Sequence, residues 1–355
     1  MSAQTEVKEN SFQYGWLDSF KFDSLLVVGV FTLAVASGVT VSIKPDLFVP
    51  ILLADLWLLG YHHVISTFTK LAGTKEDRKE NWNLIYPLPV VVLVGVGGLA
   101  GLTGIWSIVT IYLFWQWFHY SRQSWGIAAF YKRKAGMKPS KNPNLDQAVF
   151  WAIPVWGILN RCAQGWDEFL FLPVWVPPVP MEVANAVGVV AVIALGYWAY
   201  QRYQNYREGN LSLGLVSFEL SHFAIFYIGY IALSEINYGW LAANIWHNAQ
   251  YILFVWLYNT NRFKHVDKEE QGIMAWLSQK TPFHTLMYFG LCLAVTTIFY
   301  KNMQMALSHI SQGKIELLMM LNVVVFQTVN FHHYIVDSYI WKARNKKNQK
   351  VMKVN

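Results

Sequence analysis

Charge is scarce in this chain: 14% of its 355 residues are Asp, Glu, Lys or Arg, where soluble domains carry about 25%. That deficit, set in an apolar composition, excludes disorder and argues against a large soluble enzyme. Cysteine is nearly absent. Cys162 and Cys292 belong to no CxxC pair, which excludes a disulfide framework or a thiolate metal site. The N-terminal MSAQTEVKENSFQYGWLDSF lacks the basic stretch and short apolar core of a leader, so no cleaved signal peptide is expected. No internal repeat of the kind that marks many transporters is visible.

Apolar and aromatic residues fill the space instead. The chain is 54% hydrophobic, and its 17 Trp and 19 Tyr suit two interfacial belts. A helix needs about 20 apolar residues to cross about 30 Å of hydrocarbon. Ten runs meet that need: 24–43, 47–69, 84–101, 104–130, 147–163, 183–201, 211–234, 238–259, 283–300 and 315–341. The fifth, short and carrying Pro154, is the weakest. The expected fold is an all-α, polytopic bundle of about ten transmembrane helices. A cytoplasmic N-terminal segment (1–23) and a basic cytoplasmic tail (342–355) would flank a single membrane domain (24–341).

The formal net charge of +7 reads as a topology signal rather than a nucleic-acid surface, because the basic residues sit between the apolar runs. With both termini cytoplasmic, 24 of the 28 Lys and Arg face inward, leaving Lys44, Arg161, Lys301 and Lys314 outside. A bacterial cytoplasmic membrane is the expected location. The outer segment 164–182 has four prolines, which forbid a regular helix; its aromatics predict a segment lying along the interface or capping the bundle.

Ionisable residues inside spans are costly and mark functional interiors. Seven histidines fall there: His62, His63, His119, His222, His247, His332 and His333, with Asp55, Glu219 and Asp337. His265, His284 and His309 lie in loops or at helix ends. At 1.5 Å per residue, most of the seven stand about 10–20 Å from the inner boundary. Five helices thus carry histidine into one layer. Glu219 and His222 are spaced i,i+3 and His333 and Asp337 i,i+4, so each pair shares a helix face. Asp55 and His62 are seven apart, also one face. Adjacent histidines diverge by about 100°: in a one-metal site one of each pair ligates and the other hydrogen-bonds, and in a two-metal site both ligate. The spacing leaves both open.

Imidazole with carboxylate and no thiolate suits iron, copper or zinc. Seven histidines exceed what zinc needs, so the expected cofactor is one or two non-haem irons, with O2 as co-substrate and haem as the alternative. All seven histidines are candidate ligands; Asp55, Glu219 and Asp337 are ligands, orienting groups or acid–base residues. Arg122, Asn244 and Tyr251 are candidate substrate contacts, Arg122 for an anionic head group. The segments GYHHVISTF (60–68) and NFHHYIVD (330–337) resemble the histidine-rich membrane oxygenases and desaturases, and the many-spanning layout is closer to the carotene-cleaving Brp/Blh type than to four-helix fatty-acid desaturases. The chain departs from the desaturase pattern in having neither HxxxH nor HxxHH. The resemblance implies an oxygen-dependent iron enzyme acting on a lipid, hydrocarbon or isoprenoid, with a cytoplasmic electron donor. A bis-His haem electron-transfer protein and a proton-coupled transporter are the competing expectations.

Overall fold

The computed structural model describes residues 12–264 and 272–353. His265, Lys8, Lys268, residues 1–11 of the N-terminal segment and 354–355 of the tail therefore lie outside the described residues. Each predicted apolar run falls on one long helix: α1 (Phe20–Ile43), α2 (Pro45–Leu71), α3 (Trp82–Thr103), α4 (Ile105–Lys134), α5 (Pro143–Gln164), α6 (Met181–Arg207), α7 (Leu213–Ala232), α8 (Ile236–Arg262), α9 (Pro282–Ser311) and α10 (Ile315–Ile340). Pro154 is accommodated inside α5.

Local signals set the helix ends. Ser19, Ser212, Glu235 and Thr281 each accept a backbone N–H from the first turn of α1, α7, α8 and α9, satisfying donors that have no partner within the helix. Gly104, at φ 91° and ψ 168°, separates α3 from α4, a conformation closed to side-chain-bearing residues.

Seven of the ten helices are long and apolar enough to cross a membrane. Their outward side chains support this use: Val90, Val91, Val94 and Leu102 of α3 and Val189, Val190, Val192 and Ile193 of α6 are exposed, forming apolar surface that water would not tolerate at this extent. The more polar three are α4, α5 and α8. Their polarity faces inward. In α8 every residue from Gly239 to Thr260 except Leu253 is buried, with α1, α2 and α7 packed around it.

Within segment 164–182, residues 165–180 between the ends of α5 and α6 are not helical, in accord with the prolines, and fold into a hairpin pairing Glu168–Phe169 with Leu172–Pro173. Phe169 is fully buried, its ring 5.5 Å from that of Trp240, so the segment caps one end of α8. At the other end, Arg262 makes a bidentate contact to Asp77 at 2.8 and 2.9 Å. Lys70 reaches the Ile340 carbonyl at 2.7 Å and Asn348 at 2.8 Å, with its ammonium 3.6 Å from the Trp341 ring. These contacts fasten the short helix Lys346–Met352 beneath the bundle.

Three turns are widened to π geometry: Leu25–Gly29, Leu56–Gly60 and Ile228–Ala232. In α2 the Tyr61 N–H donates to the Leu56 carbonyl, five residues back. One extra residue in a turn rotates everything beyond it by about 100°. Asp55 would share a face with His62 in a continuous α-helix; the wide turn gives that face to His63. Asp55 and His63 accordingly both look toward α8, while His62 turns to Phe289 of α9.

Candidate metal centre

All seven candidate histidines and the three carboxylates are buried, but only some of them meet. One donor atom from each of His63, His119, His333 and Asp337 lies within 4.8 Å of the other three. His63 comes from α2, His119 from α4, and His333 and Asp337 from one face of α10. The two Nε2 atoms of His63 and His333 are 2.6 Å apart. Asp337 Oδ2 stands 3.5 Å from His333 Nε2 and 3.9 Å from His119 Nε2. His247 of α8 is adjacent, its ring centroid 4.8 Å from that of His63 and 4.9 Å from that of His119.

A hydrogen-bond chain orients these donors. Tyr251 donates to Asp337 Oδ1 at 2.7 Å and accepts from Trp341 Nε1 at 2.8 Å. Its oxygen also lies 2.7 Å from Thr67 Oγ1, which is 3.0 Å from His333 Nδ1. With Asp337 ionised, as it would be beside a bound cation, it only accepts, so the Tyr251 proton goes to Asp337 and the Thr67 proton goes to Tyr251. Thr67 then accepts from His333 Nδ1–H, which leaves the Nε2 lone pair facing the cluster. Aromatic rings hold the imidazoles flat: His63 lies on Tyr251 at 4.2 Å, His119 on Tyr334 at 4.3 Å and His247 on Tyr120 at 4.0 Å. Among the described residues, His119 Nε2, Asp337 Oδ2 and His247 Nε2 meet no hydrogen-bond partner. Each such buried group costs about 1–3 kcal/mol when unmatched. A cation bound among His63, His119, His333 and Asp337 would satisfy the His119 and Asp337 atoms together, so these residues fit a metal ion.

Tyr251→Phe is expected to keep the fold and weaken metal binding by roughly 10–100-fold, the usual effect of losing a group that orients ligands. Titration of the purified variant against a competing chelator measures it.

Of the seven candidate ligands, His62, His222 and His332 are not brought to this cluster, nor are Glu219 and Asp55. His62 bonds the Leu58 carbonyl at 3.2 Å, His332 the Leu84 carbonyl at 2.7 Å, and His222 the Phe150 carbonyl at 3.1 Å with its ring stacked on Phe150. Of each adjacent pair, one converges and one hydrogen-bonds. Glu219 pairs instead with Trp198 at 2.8 Å and Arg202 at 3.6 Å, because its face of α7 looks toward α6. Asp55 ends a different chain: Trp240 donates to Gln116, Gln116 to Tyr120, Tyr120 to Asn244, and Asn244 to Asp55 Oδ2 at 2.6 Å.

Two cavities flank the cluster. A space of about 420 Å³ runs from His119, Tyr251 and Asp337 past Trp125, Phe130 and Phe254 to Arg122 and Arg344. One of about 50 Å³ lies against His63, His247, His333 and Asn244. Arg122 and Tyr251 therefore share the larger cavity, and Asn244 belongs to the smaller one. Thr67 and Trp341 escaped sequence reasoning, although each stands one turn beyond a cluster residue, His63 and Asp337, a spacing that puts them on the same face. Comparison with protein-family models, with curated proteins and with solved structures gives no match to this chain.

Proposed function

We propose that this is a ten-crossing integral membrane protein, both termini cytoplasmic, that holds one non-haem iron at His63, His119, His333 and Asp337 and uses oxygen to oxidise a lipid-like substrate. The observation that carries the reading is the convergence of four donor atoms within 4.8 Å of one another. Donors bound to one ion at about 2.1 Å stand roughly 3–4 Å apart; the separations here run from 2.6 Å to within 4.8 Å, so small side-chain shifts bring the group onto a single ion, with His247 as a neighbouring donor.

The choice of metal follows from the surroundings. Three imidazoles and a carboxylate suit iron, copper or zinc, and two of the donors, His119 and Asp337, line a 420 Å³ cavity with aromatic walls, within the size range of small-molecule sites. An apolar substrate offers C–H and C=C bonds, which call for a redox metal. Bound iron would supply oxygen activation. The chain's own groups hold it: Tyr251 fixes Asp337, Thr67 fixes the His333 tautomer, and the stacked rings fix the planes of His63 and His119. The cavity reaches the end of the bundle that carries the basic tail, the side from which a cytoplasmic electron donor would deliver reductant. Donors this close leave no plane for a macrocycle between two axial imidazoles, which weighs against the haem alternative.

Elemental mass spectrometry and an absorption spectrum of the detergent-purified protein test the reading. One iron per chain without a Soret band is the expected result. A Soret band would move the protein to electron transfer. Absence of stoichiometric metal after reconstitution would overturn the metalloenzyme and leave proton-coupled transport.

A further inference from the structure

The mouth of the 420 Å³ cavity is ringed by cations: Arg122 and Arg133 from α4, and Lys342 and Arg344 from the segment after α10. Some other cations at this end of the bundle are tied to acids, as Arg262 is to Asp77 at 2.8 Å, Lys132 to Asp146 at 3.9 Å and Lys347 to Glu80 at 2.7 Å, and others, such as Lys134 and Lys346, stand singly on the surface. Among the described residues the four at the mouth form no ion pair with a carboxylate. Single unpaired surface lysines are ordinary. Four cations around one concavity with Trp125, Phe130 and Phe254 on its walls present a positive field over an apolar slot. The cavity floor is Asp337 and His119, whose facing atoms have no hydrogen-bond partner.

We propose that this cavity takes an amphiphile with an anionic head group, carboxylate or phosphate, on an apolar chain. The head group sits among Arg122, Arg133, Lys342 and Arg344, and the chain lies against the aromatic walls. Arg122 is three residues beyond His119 on one helix, about 4.5 Å along its axis. An anion held there places the first few carbons of the chain beside the donor cluster, and distant carbons out of reach. This assignment rests on the proposed function for its consequence, the position of reaction. Binding itself requires no metal.

The test is therefore made on metal-free, full-length protein in neutral detergent, by scintillation proximity with tritiated palmitate and tritiated hexadecanol. Palmitate is expected to bind at least about tenfold more tightly than the alcohol of the same length. The double variant Arg122→Gln/Arg344→Gln is expected to lose about tenfold for palmitate and nothing for hexadecanol, whereas Arg122→Lys stays within about threefold. A monodisperse gel-filtration profile and unchanged hexadecanol binding establish that the variants are folded. Equal affinity for acid and alcohol, no saturable binding of either, or an unaltered double variant would overturn the proposal. Displacement of palmitate by equimolar inorganic phosphate would overturn its apolar half, showing a site for free anions. Failure of palmitate binding in a protein that carries iron refutes the substrate class alone; palmitate binding in a protein that takes no metal refutes the oxygenase and spares the cavity.

Discussion

His333→Ala and His63→Ala are each expected to lower metal affinity by on the order of 100-fold or more, while His332→Ala, His62→Ala and His222→Ala keep it within about tenfold. The contrast between neighbours in the sequence is what makes the result diagnostic. His63 Nε2 and His333 Nε2 face one another at 2.6 Å, and the Thr67–Tyr251 chain leaves the His333 lone pair directed inward. His332 Nε2 is already engaged by the Leu84 carbonyl at 2.7 Å, and His62 and His222 by the carbonyls of Leu58 and Phe150. Removing those three imidazoles takes away a hydrogen bond and some packing, about 1 kcal/mol of stability for the bond itself. Elemental analysis of each variant, on protein that elutes as a single species, gives the answer. Equal metal loss from His332→Ala and His333→Ala would mean that the centre is not where the donors converge.

Gly239→Ala is expected to lower thermal stability strongly. At this point α7 and α8 cross with their backbones in contact, and a Cβ on Gly239 would collide with the Gly229 carbonyl oxygen and lie 2.5 Å from Arg161 Nη2. The wide turn Ile228–Ala232 ends α7 with carbonyls that have no helical partner. Arg161 collects them, donating to Gly229 at 2.9 Å, Leu233 at 2.6 Å and Ser234 at 2.7 Å. The added methyl therefore both parts the helices and breaks the arginine clasp. Overpacking costs about 1–3 kcal/mol, and a buried charged group stripped of partners costs a similar amount or more, so together about 3 kcal/mol or more is at stake. Gly290 is the internal control: it lies within α9 with no atom within 4 Å of an added Cβ, and Gly290→Ala should be neutral or stabilise by up to about 1 kcal/mol. Thermal unfolding of both variants in detergent, followed by tryptophan fluorescence, measures the difference. Equal midpoints would show that the close crossing is absent.

Hydropathy and length were sufficient to locate every long helix, including α4, α5 and α8, whose polar residues are absorbed by burial rather than exposed to lipid. The run of apolar residues is a local property summed over many positions, so errors average out. That histidines of α2, α4, α8 and α10 stand at one level of the bundle was likewise readable, because rise along a helix accumulates evenly at 1.5 Å per residue. The 100° between adjacent histidines left two arrangements open, and in both His63/His62 and His333/His332 one member converges while the other hydrogen-bonds.

Which member converges was decided by the tertiary structure. The extra residue in the wide turn Leu56–Gly60 transfers the face of Asp55 from His62 to His63, and no periodicity argument that assumes a uniform helix can see it. The same limit applies to Glu219, which looks correctly spaced from His222 yet turns to Arg202 and Trp198 of a neighbouring helix. It applies again to the cavity mouth, where Arg122 meets Lys342 and Arg344 from the far end of the chain. Burial asks only that a side chain point inward, which many helix rotations satisfy. A centre in which four donors stand within 4.8 Å of one another asks for one rotation of each helix, and that is fixed by how all of them pack.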